Sequence, residues 1–498
     1  MKNFFRTLIA LILSATMLSA CSAGVETPGA SSVPGQTDAS QSEGKSQTEF
    51  DRKETLYVVT NMGHSPNSFN PLDGSPSWPV GMQQVLVYET AFMMNMLTQE
   101  LEPLVGDSYS WTDDLTLEVK LNPAAKFNDG SVLTSEDMKY SYELGKKYDI
   151  MWSTYWKNID TVEATDPQTI RIKMKADDPN MLNVLDSLQI VPIVPKAVWG
   201  KVEEENNNDI AGIRKFTNKQ SPVASGPYNI YRVDDQSIVL KRNDDYWGVV
   251  RFGKLPTPKY IYQPFYKSND TVTMDLKEGK LDWAQVFIPK IWDIMEENQN
   301  IKTYLDDFPY HVPASMPSLI INTTRPGLDN PQVRRAIAYC INYDKIAEAA
   351  MSKYTDKVVP MLCMNDGLEN KYVDMDALKE LQWSYDPDKA NEILDSLGAK
   401  PGNDGIRVLP DGTRMSWKLE SPYGATDWNA AMEVVSQSAK AIGVELQSTM
   451  PESGVCASNR QMGNFDISII MPGEGIRPSQ PWYRYKDIMS SDGVAPVG

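Results

Sequence analysis

Residues 127–137, FNDGSVLTSED, are the stretch whose acids come nearest to a metal loop. With Gly130 at position 6 of an EF-hand register, Asp129 falls at position 5 and Glu136 at position 12. The same register puts Ala125 at position 1 and Phe127 at position 3, and neither side chain carries an oxygen. A turn that leads into a helix uses every residue instead. Asn128-Asp129-Gly130 suits a tight turn. Thr134 suits an N-cap, with Asp137 three residues on in capping-box spacing, and Glu136 and Asp137 suit the positive end of a helix. The spacing therefore predicts a structural turn, with no metal.

Other reactive residue types are scarce. The chain has two histidines, His64 and His311, and no HExxH, so a zinc centre or a Cys–His dyad lacks its imidazoles. Cys21, Cys340, Cys363 and Cys456 form no CxxC and no disulfide framework. No GxSxG, P-loop or Rossmann glycine pattern occurs. A carboxylate pair of the glycosidase kind stays open, although nothing selects the two acids. The net charge of −18 repels nucleic acid. No cofactor, metal or nucleic-acid partner is expected.

The remaining candidates are aromatic. Rings in helices mostly enter a core, whereas rings on Pro/Gly-rich loops do not bury easily and are better placed to meet a ligand. The blocks that hold them are MWSTYWKN (151–158), LDWAQV (281–286), SPYGATDW (421–428) and IIMPGEGIRPSQPWYRYKDIMSS (469–491).

These blocks need a scaffold. At 498 residues the chain is long enough for two or three domains. MKNFFRTLIALILSATMLSAC has two cations, a short apolar run and small residues before Cys21, the form of a secretory signal. Leu18-Ser19-Ala20-Cys21 resembles a bacterial lipobox, which implies lipidation of Cys21. The following stretch, rich in Ser, Gly, Thr, Gln and Pro, predicts a flexible tether. TLYVVTN (55–61) predicts a strand, VGMQQVLVYETAFMMNML (80–97) a buried helix, and LTLEVKL (115–121) and TIRIKMK (169–175) half-buried strands by their alternation. In 330–346, Asn330 suits a cap and Pro331 the first helical position. Val333, Ala336, Ile337, Cys340 and Ile341 then form one apolar stripe.

LEVKLNPAAKFNDGSVLTSEDMKYSYE resembles the signature of the family 5 extracellular solute-binding proteins. SGPYNIYRVDDQSIVLKRNDDYWG (225–248), LKEGKLDWA (276–284), LIINTTRPGLDNPQVRRAIAYCINYDKI (319–346) and YDPDKANEILDSLG (385–398) resemble further segments of that family, in its order. The resemblance implies a mixed α/β, two-lobed periplasmic-binding-protein-like fold (type II, cluster C), with an inserted extra domain and a ligand cleft between the lobes. The expected division is a signal peptide at 1–20 and a lipidated cysteine and tether at 21–53. Domain I follows as 54–93 and 221–305, with domain II at 94–220 and domain III at 306–498. The family's chain returns to domain I in a final strand and helix. This sequence ends at SSDGVAPVG, so a further C-terminal portion is expected.

The implied function is the substrate-binding component of an ABC importer, a lipid-anchored monomer on the extracytoplasmic face of the membrane. It would capture an oligopeptide, or an oligosaccharide, and hand it to the permease without breaking a bond. The resemblance brings Trp156, Trp283 and Gln285 near the ligand. In peptide-binding members an acid near the last block pairs with the peptide's α-amino group, and Glu474 is the nearest acid here. Tyr423, Trp428 and Trp482 complete the set, and rings of this kind also suit the faces of sugars. A secreted carboxylate-dependent glycoside hydrolase is the alternative of another class, and a nickel or haem receptor the alternative within the fold.

Overall fold

The structure is a computed structural model that describes residues 50–59, 68–73, 85–95, 98, 100–218, 221–308, 310–311, 316–355, 369, 372–381, 384–472 and 477–489. Three larger sheets organise it. The first runs in the order β11-β1-β10-β9-β8, with β1 (Thr55–Val59), β8 (Tyr228–Val233), β9 (Ser237–Arg242), β10 (Tyr260–Pro264) and β11 (Trp283–Ala284). β1 lies parallel to both β10 and β11. Successive side chains of a strand point to opposite faces, and β1 obeys this. Val58 enters one core, while Tyr57 and Val59 enter another with Val272, Ile288 and Ile291.

The second sheet is antiparallel, in the order β4-β5-β7-β6, with β4 (Gly106–Asp113), β5 (Thr116–Leu121), β6 (Ile159–Asp166) and β7 (Thr169–Met174). Leu117, Val119 and Leu121 of β5 and Ile170, Ile172 and Met174 of β7 share one face and one core, as their alternation predicts. Each such side chain, fully buried, contributes about 1.5–3 kcal/mol. The helix α1 (Ser135–Lys147) adds Met138, Tyr142 and Leu144 to that core. Its start is the turn expected at 127–137. Gly130 has φ of +86°, the left-handed region that favours glycine. Asp129 accepts from the Ser131 amide at 2.9 Å, and Asp137 accepts from the Thr134 amide at 2.9 Å.

One expectation fails here. Only 85–87 of the described part of 80–97 is helical, and Phe92–Met94 forms β2, paired antiparallel with β3 (Leu101–Pro103). A run that is apolar on every side carries no period that separates helix from strand. Thr90 donates its hydroxyl to the Phe92 carbonyl at 2.7 Å, which competes with helical bonding. The chain also returns against this segment: Gly226 donates its amide to the Val87 carbonyl at 2.9 Å, and a Cβ on Gly226 would collide with the Leu86 carbonyl.

The third sheet runs β12-β17-β15-β16, with β12 (Ser318–Ile321), β15 (Ser416–Glu420), β16 (Glu445–Thr449) and β17 (Ile467–Ile470). The last three are parallel to one another. β13 (Lys400–Pro401) and β14 (Arg407–Val408) pair separately. Helices include α2 (Met181–Ile190), α3 (Asn269–Lys277), α4 (Pro331–Cys340), α5 (Pro387–Ser396), α6 (Thr426–Ala441), α7 (Ser453–Gln461) and α8 (Trp482–Met489). In α4 the Asn330 side chain accepts from the Gln332 amide at 2.9 Å, and Val333, Ala336, Ile337 and Cys340 are buried as their spacing predicts. Burial pushes the Cys340 thiol up to about 12, which fits a core residue. Among the described residues, no helix is long and apolar enough to cross a membrane.

Candidate functional site

Two segments far apart in sequence, 151–190 and 477–489, meet around a cavity of about 220 Å³. On the first side a short 3-10 helix, Ser153–Lys157, follows α1. Two indoles turn back onto α1: Trp152 Nε1 donates to the Ser141 carbonyl at 2.9 Å and Trp156 Nε1 to the Tyr142 carbonyl at 2.8 Å. The Lys146 ammonium lies 4.7 Å from the centroid of the Trp156 ring, a cation–π distance. With the indoles held so, the three-residue repeat of a 3-10 helix brings Met151, Thr154 and Lys157 to the cavity, beside Tyr155. From α2, Asn183 and Ile190 join them. Asp186 lies between these two on the same helical face, at spacings of three and four.

The opposite wall is α8. Trp482, Tyr483 and Lys486 line the cavity, as neighbours on one helix face should. Arg484 is fully buried and donates to both Glu369 carboxylate oxygens, at 2.9 and 3.3 Å. This buried, charge-assisted pair helps hold α8 in place. Arg477 also lines the cavity, with its guanidinium carbon 4.0 Å from the Tyr483 ring centroid.

Asp186 ties the two sides together. It is fully buried and accepts from the Ser479 amide at 3.0 Å and from the Ser479 hydroxyl. Burial pushes its carboxyl up to about 6, a rise limited by the two Ser479 bonds and by the charge of Arg477. The Tyr155 phenol is held neutral, raised by burial first and then by the nearby Asp186 charge. Three cations, Lys157, Arg477 and Lys486, line the cavity, and none of its lining residues among those described is acidic.

A second polar region lies at the C-terminal end of β15, the end of parallel strands where open α/β sheets receive ligands. Glu420 and Ser421 are buried there, and Glu420 Oε1, Ser421 Oγ and Asn429 Oδ1 have no hydrogen-bond partner among the described residues. Glu420 Oε2 accepts from Asn459 at 3.0 Å, and Glu420 lines a cavity of about 380 Å³ with Lys418, Asn459 and Asp466. Nearby, Asn269 at the start of α3 donates to the Thr426 hydroxyl at the start of α6, at 2.9 Å.

The residues expected from sequence scatter over this framework. Trp482 lines the seam cavity and is 42% exposed. Trp156 is bonded into α1 and does not line it, although its neighbour Tyr155 does. Trp283 sits on β11, the edge strand of the first sheet, and is also 42% exposed. Gln285 follows it, with an exposed side chain and its amide bonded to the Val59 carbonyl at 2.7 Å. Tyr423 is 62% exposed just beyond β15. Trp428 packs, half-buried, against the core of the third sheet. Cys21 and Glu474 lie outside the described residues. Sequence reasoning missed Lys157, Asp186, Glu420, Arg477 and Lys486. For Asp186 a signal existed: it is the one charged residue in the helix MLNVLDSLQI.

Comparison with known proteins gives a consistent picture. A family described as bacterial extracellular solute-binding proteins, family 5 Middle, matches residues 100–494. The glutathione-binding protein GsiB of Pectobacterium atrosepticum is 25% identical over 401 residues, covering 80% of this chain and 70% of that protein. A periplasmic oligopeptide-binding protein of an oligopeptide ABC transporter from Thermotoga maritima superposes with a TM-score of 0.81 at 28% identity, over 89% of this chain and 81% of that one. The mannohexaose-bound structure of that Thermotoga protein matches with a TM-score of 0.79 at 27% identity, over 89% and 80% of the two chains.

Proposed function

The chain belongs to the bacterial extracellular solute-binding proteins, family 5, and from that premise we propose that it captures an oligopeptide outside the cell membrane and delivers it to its permease. It has the mixed α/β, two-lobed type II fold of those receptors, and its role is that of the substrate-binding component of an ABC transporter. In our reading the first sheet belongs to a discontinuous domain I (54–93 and 221–305), the second to an inserted domain II (94–220) and the third to domain III (306–498). Cys21 carries a lipid that holds the monomer at the extracytoplasmic face, with a tether from 22 that ends before Phe50. The expected tether to 53 is too long, since Phe50 is buried against Tyr260 and Tyr262 and Arg52 pairs with Asp282. Binding and release, with no bond broken, are the whole of its chemistry.

The observation that carries the reading is the cavity walled by 151–190 on one side and 477–486 on the other. A receptor that buries a solute between lobes needs side chains from both. Trp482 serves this cavity, and Trp283, Gln285, Tyr423, Trp428 and Glu474 extend the binding surface. The unpartnered oxygens of Glu420, Ser421 and Asn429 are buried polar groups of the kind a ligand satisfies.

A second ligand class, the oligosaccharide, is favoured by the exposed rings of Trp283, Tyr423 and Trp482, since aromatic faces stack on sugar faces. The Thermotoga protein is mannohexaose-bound in one of its structures. A thermal-shift series with oligopeptides and with xylo-, manno- and cello-oligosaccharides tests both. A true ligand at 100 times its Kd stabilises the protein by about 2.7 kcal/mol. A shift with sugars alone removes the peptide reading. Conversion of any probe to product would overturn the receptor reading itself.

A further inference from the structure

A short segment with a strained backbone joins the core of the third sheet to a core of the first. Ile346 packs against the core of the third sheet. Tyr354, eight residues on, packs against the core that Val59, Val272, Ile288 and Ile291 form beside the first sheet. The path between them is irregular. Ile346–Ala350 is a turn of π-helix, closed by the Met351 amide donating to the Ile346 carbonyl at 2.8 Å, and it packs against α6. Ser352 and Lys353 follow with φ of +47° and +56°. Across the junction, Lys290 precedes the helix Ile291–Glu297 with φ of +50°, and its amide donates to the buried Ser352 hydroxyl oxygen at 3.0 Å. None of the three is glycine, so each holds a Cβ in the left-handed region, where it crowds the following carbonyl. Such conformations persist only where the surroundings hold them, and π turns are rare. Here the Lys290–Ser352 bond holds one side. The Tyr354 ring, 5.5 Å from that of Phe287 and 6.3 Å from that of Tyr310, holds the other.

We propose that 346–354 is a strained strap, closed by the Lys290–Ser352 bond, that opens locally while both cores stay folded. It is a conformational device built into the join between the first-sheet and third-sheet units, which the domain division above places in domains I and III. The strain held at Lys290, Ser352 and Lys353 lowers the free energy needed to release the strap, so the join loosens here before either core does. None of the residues that line the two cavities above comes from 346–354. The strap therefore acts on the placement of the two units and not on a solute. It goes beyond the receptor reading and is tested without a solute, so either can fail alone.

Native-state amide exchange of the full chain in low urea tests the strap. The Lys290, Met351 and Tyr354 amides are each bonded at the strap, to Ser352, Ile346 and Met351. They should exchange about tenfold faster or more than the amides of β1 and β15, and with little dependence on urea, as local opening does. Exchange as slow as in those strands, with the same urea dependence, would mean that the strap opens only when the protein unfolds, and overturns the proposal. Substitution then reads the strain. Lys353 is exposed, and Lys353→Gly and Lys353→Ala both remove its side chain, but only glycine accepts the left-handed backbone freely. The Lys290 amide should exchange about threefold more slowly, or slower still, in Lys353→Gly than in Lys353→Ala. Equal rates in the two variants would show that no strain is held there, and the strap as proposed falls. Ser352→Ala removes the bond across the junction and keeps a Cβ in the left-handed region. The Met351 and Tyr354 amides should then exchange about threefold faster or more, with β1 and β15 unchanged. No change at Met351 and Tyr354 would remove Lys290–Ser352 as the closure. An equal quickening of β1 and β15 would make the segment part of the global fold, and either result overturns the proposal.

Discussion

Two buried carboxylates, Glu89 and Asp186, join distant parts of this chain in different ways. Glu89 is 1% exposed and accepts from the Tyr246 hydroxyl at 2.5 Å and from Trp247 Nε1 at 3.0 Å. Around it Tyr88, Ala91, Phe92, Tyr246 and Trp247 belong to one hydrophobic core that runs through the first and second sheets. Asp186 accepts two bonds from Ser479, and its own side contributes Val184 and Leu188 to that core. Among the described residues of 477–489, none joins a hydrophobic core cluster. The first carboxylate is set in a continuous apolar weld. The second holds a polar seam beside a cavity. The apolar continuity, not the carboxylate, tells the two junctions apart.

The sharpest way to break that comparison is Glu89→Ala. Two buried donors lose their acceptor at about 1–3 kcal/mol each, so urea unfolding should show a loss on the order of 4 kcal/mol. The pH dependence of Glu89 comes next. Burial first, against its hydrogen bonds, raises its carboxyl to about 7 from an ordinary 4.5. A raised value means the folded state favours the proton. The associated stability is fully present below about pH 4.5 and is lost as pH rises through about 7, by about 3 kcal/mol at 1.36 kcal/mol per unit. The difference in unfolding free energy between wild type and Glu89→Gln should therefore fall by about that much from pH 4.5 to 8. A flat difference would place Glu89 in contact with water.

Asp186→Ala should do less to global stability, about 1–2 kcal/mol, because water can reach Ser479 once the seam parts. Its signature is local: amide exchange of 479–489 should quicken while that of β5 and β7 holds. If Asp186→Ala costs as much as Glu89→Ala in urea, the seam is a weld and the distinction fails.

What was legible in the sequence follows the same line. β1, β5, β7 and the stripe of α4 were read correctly because each obeys a local period against a single core face. The 127–137 turn was read correctly because the bonds that set the turn and the helix cap, Asp129 with Ser131 and Asp137 with Thr134, close within a few residues. The 80–97 segment was misread because its structure is fixed from outside, by β3 and by the returning Gly226. The seam was invisible for a stronger reason: Asp186 and Ser479 are 293 residues apart, and no pattern in either segment names the other. The direction in which each ring points was not legible. Trp156 and Tyr155 are adjacent in sequence, and the 3-10 helix sends one to α1 and the other to the cavity.

A third carboxylate tests whether bond number or burial sets these effects. Asp137 accepts from the Thr134 amide and hydroxyl, each at 2.9 Å, and from the Lys196 amide at 3.0 Å. That is one donor more than Glu89 has from its tyrosine and tryptophan. Asp137 is only half-buried, so in Asp137→Ala water can take up the freed donors at the start of α1. The expected loss in urea unfolding is about 1 kcal/mol, the usual effect of removing a helix cap. Bond counting alone predicts the opposite order, with Asp137→Ala costing more than Glu89→Ala. A measured loss on the order of 4 kcal/mol at Asp137 would mean that hydrogen-bond number governs these junctions. The contrast between weld and seam would then have to be rebuilt on bonds rather than on apolar continuity.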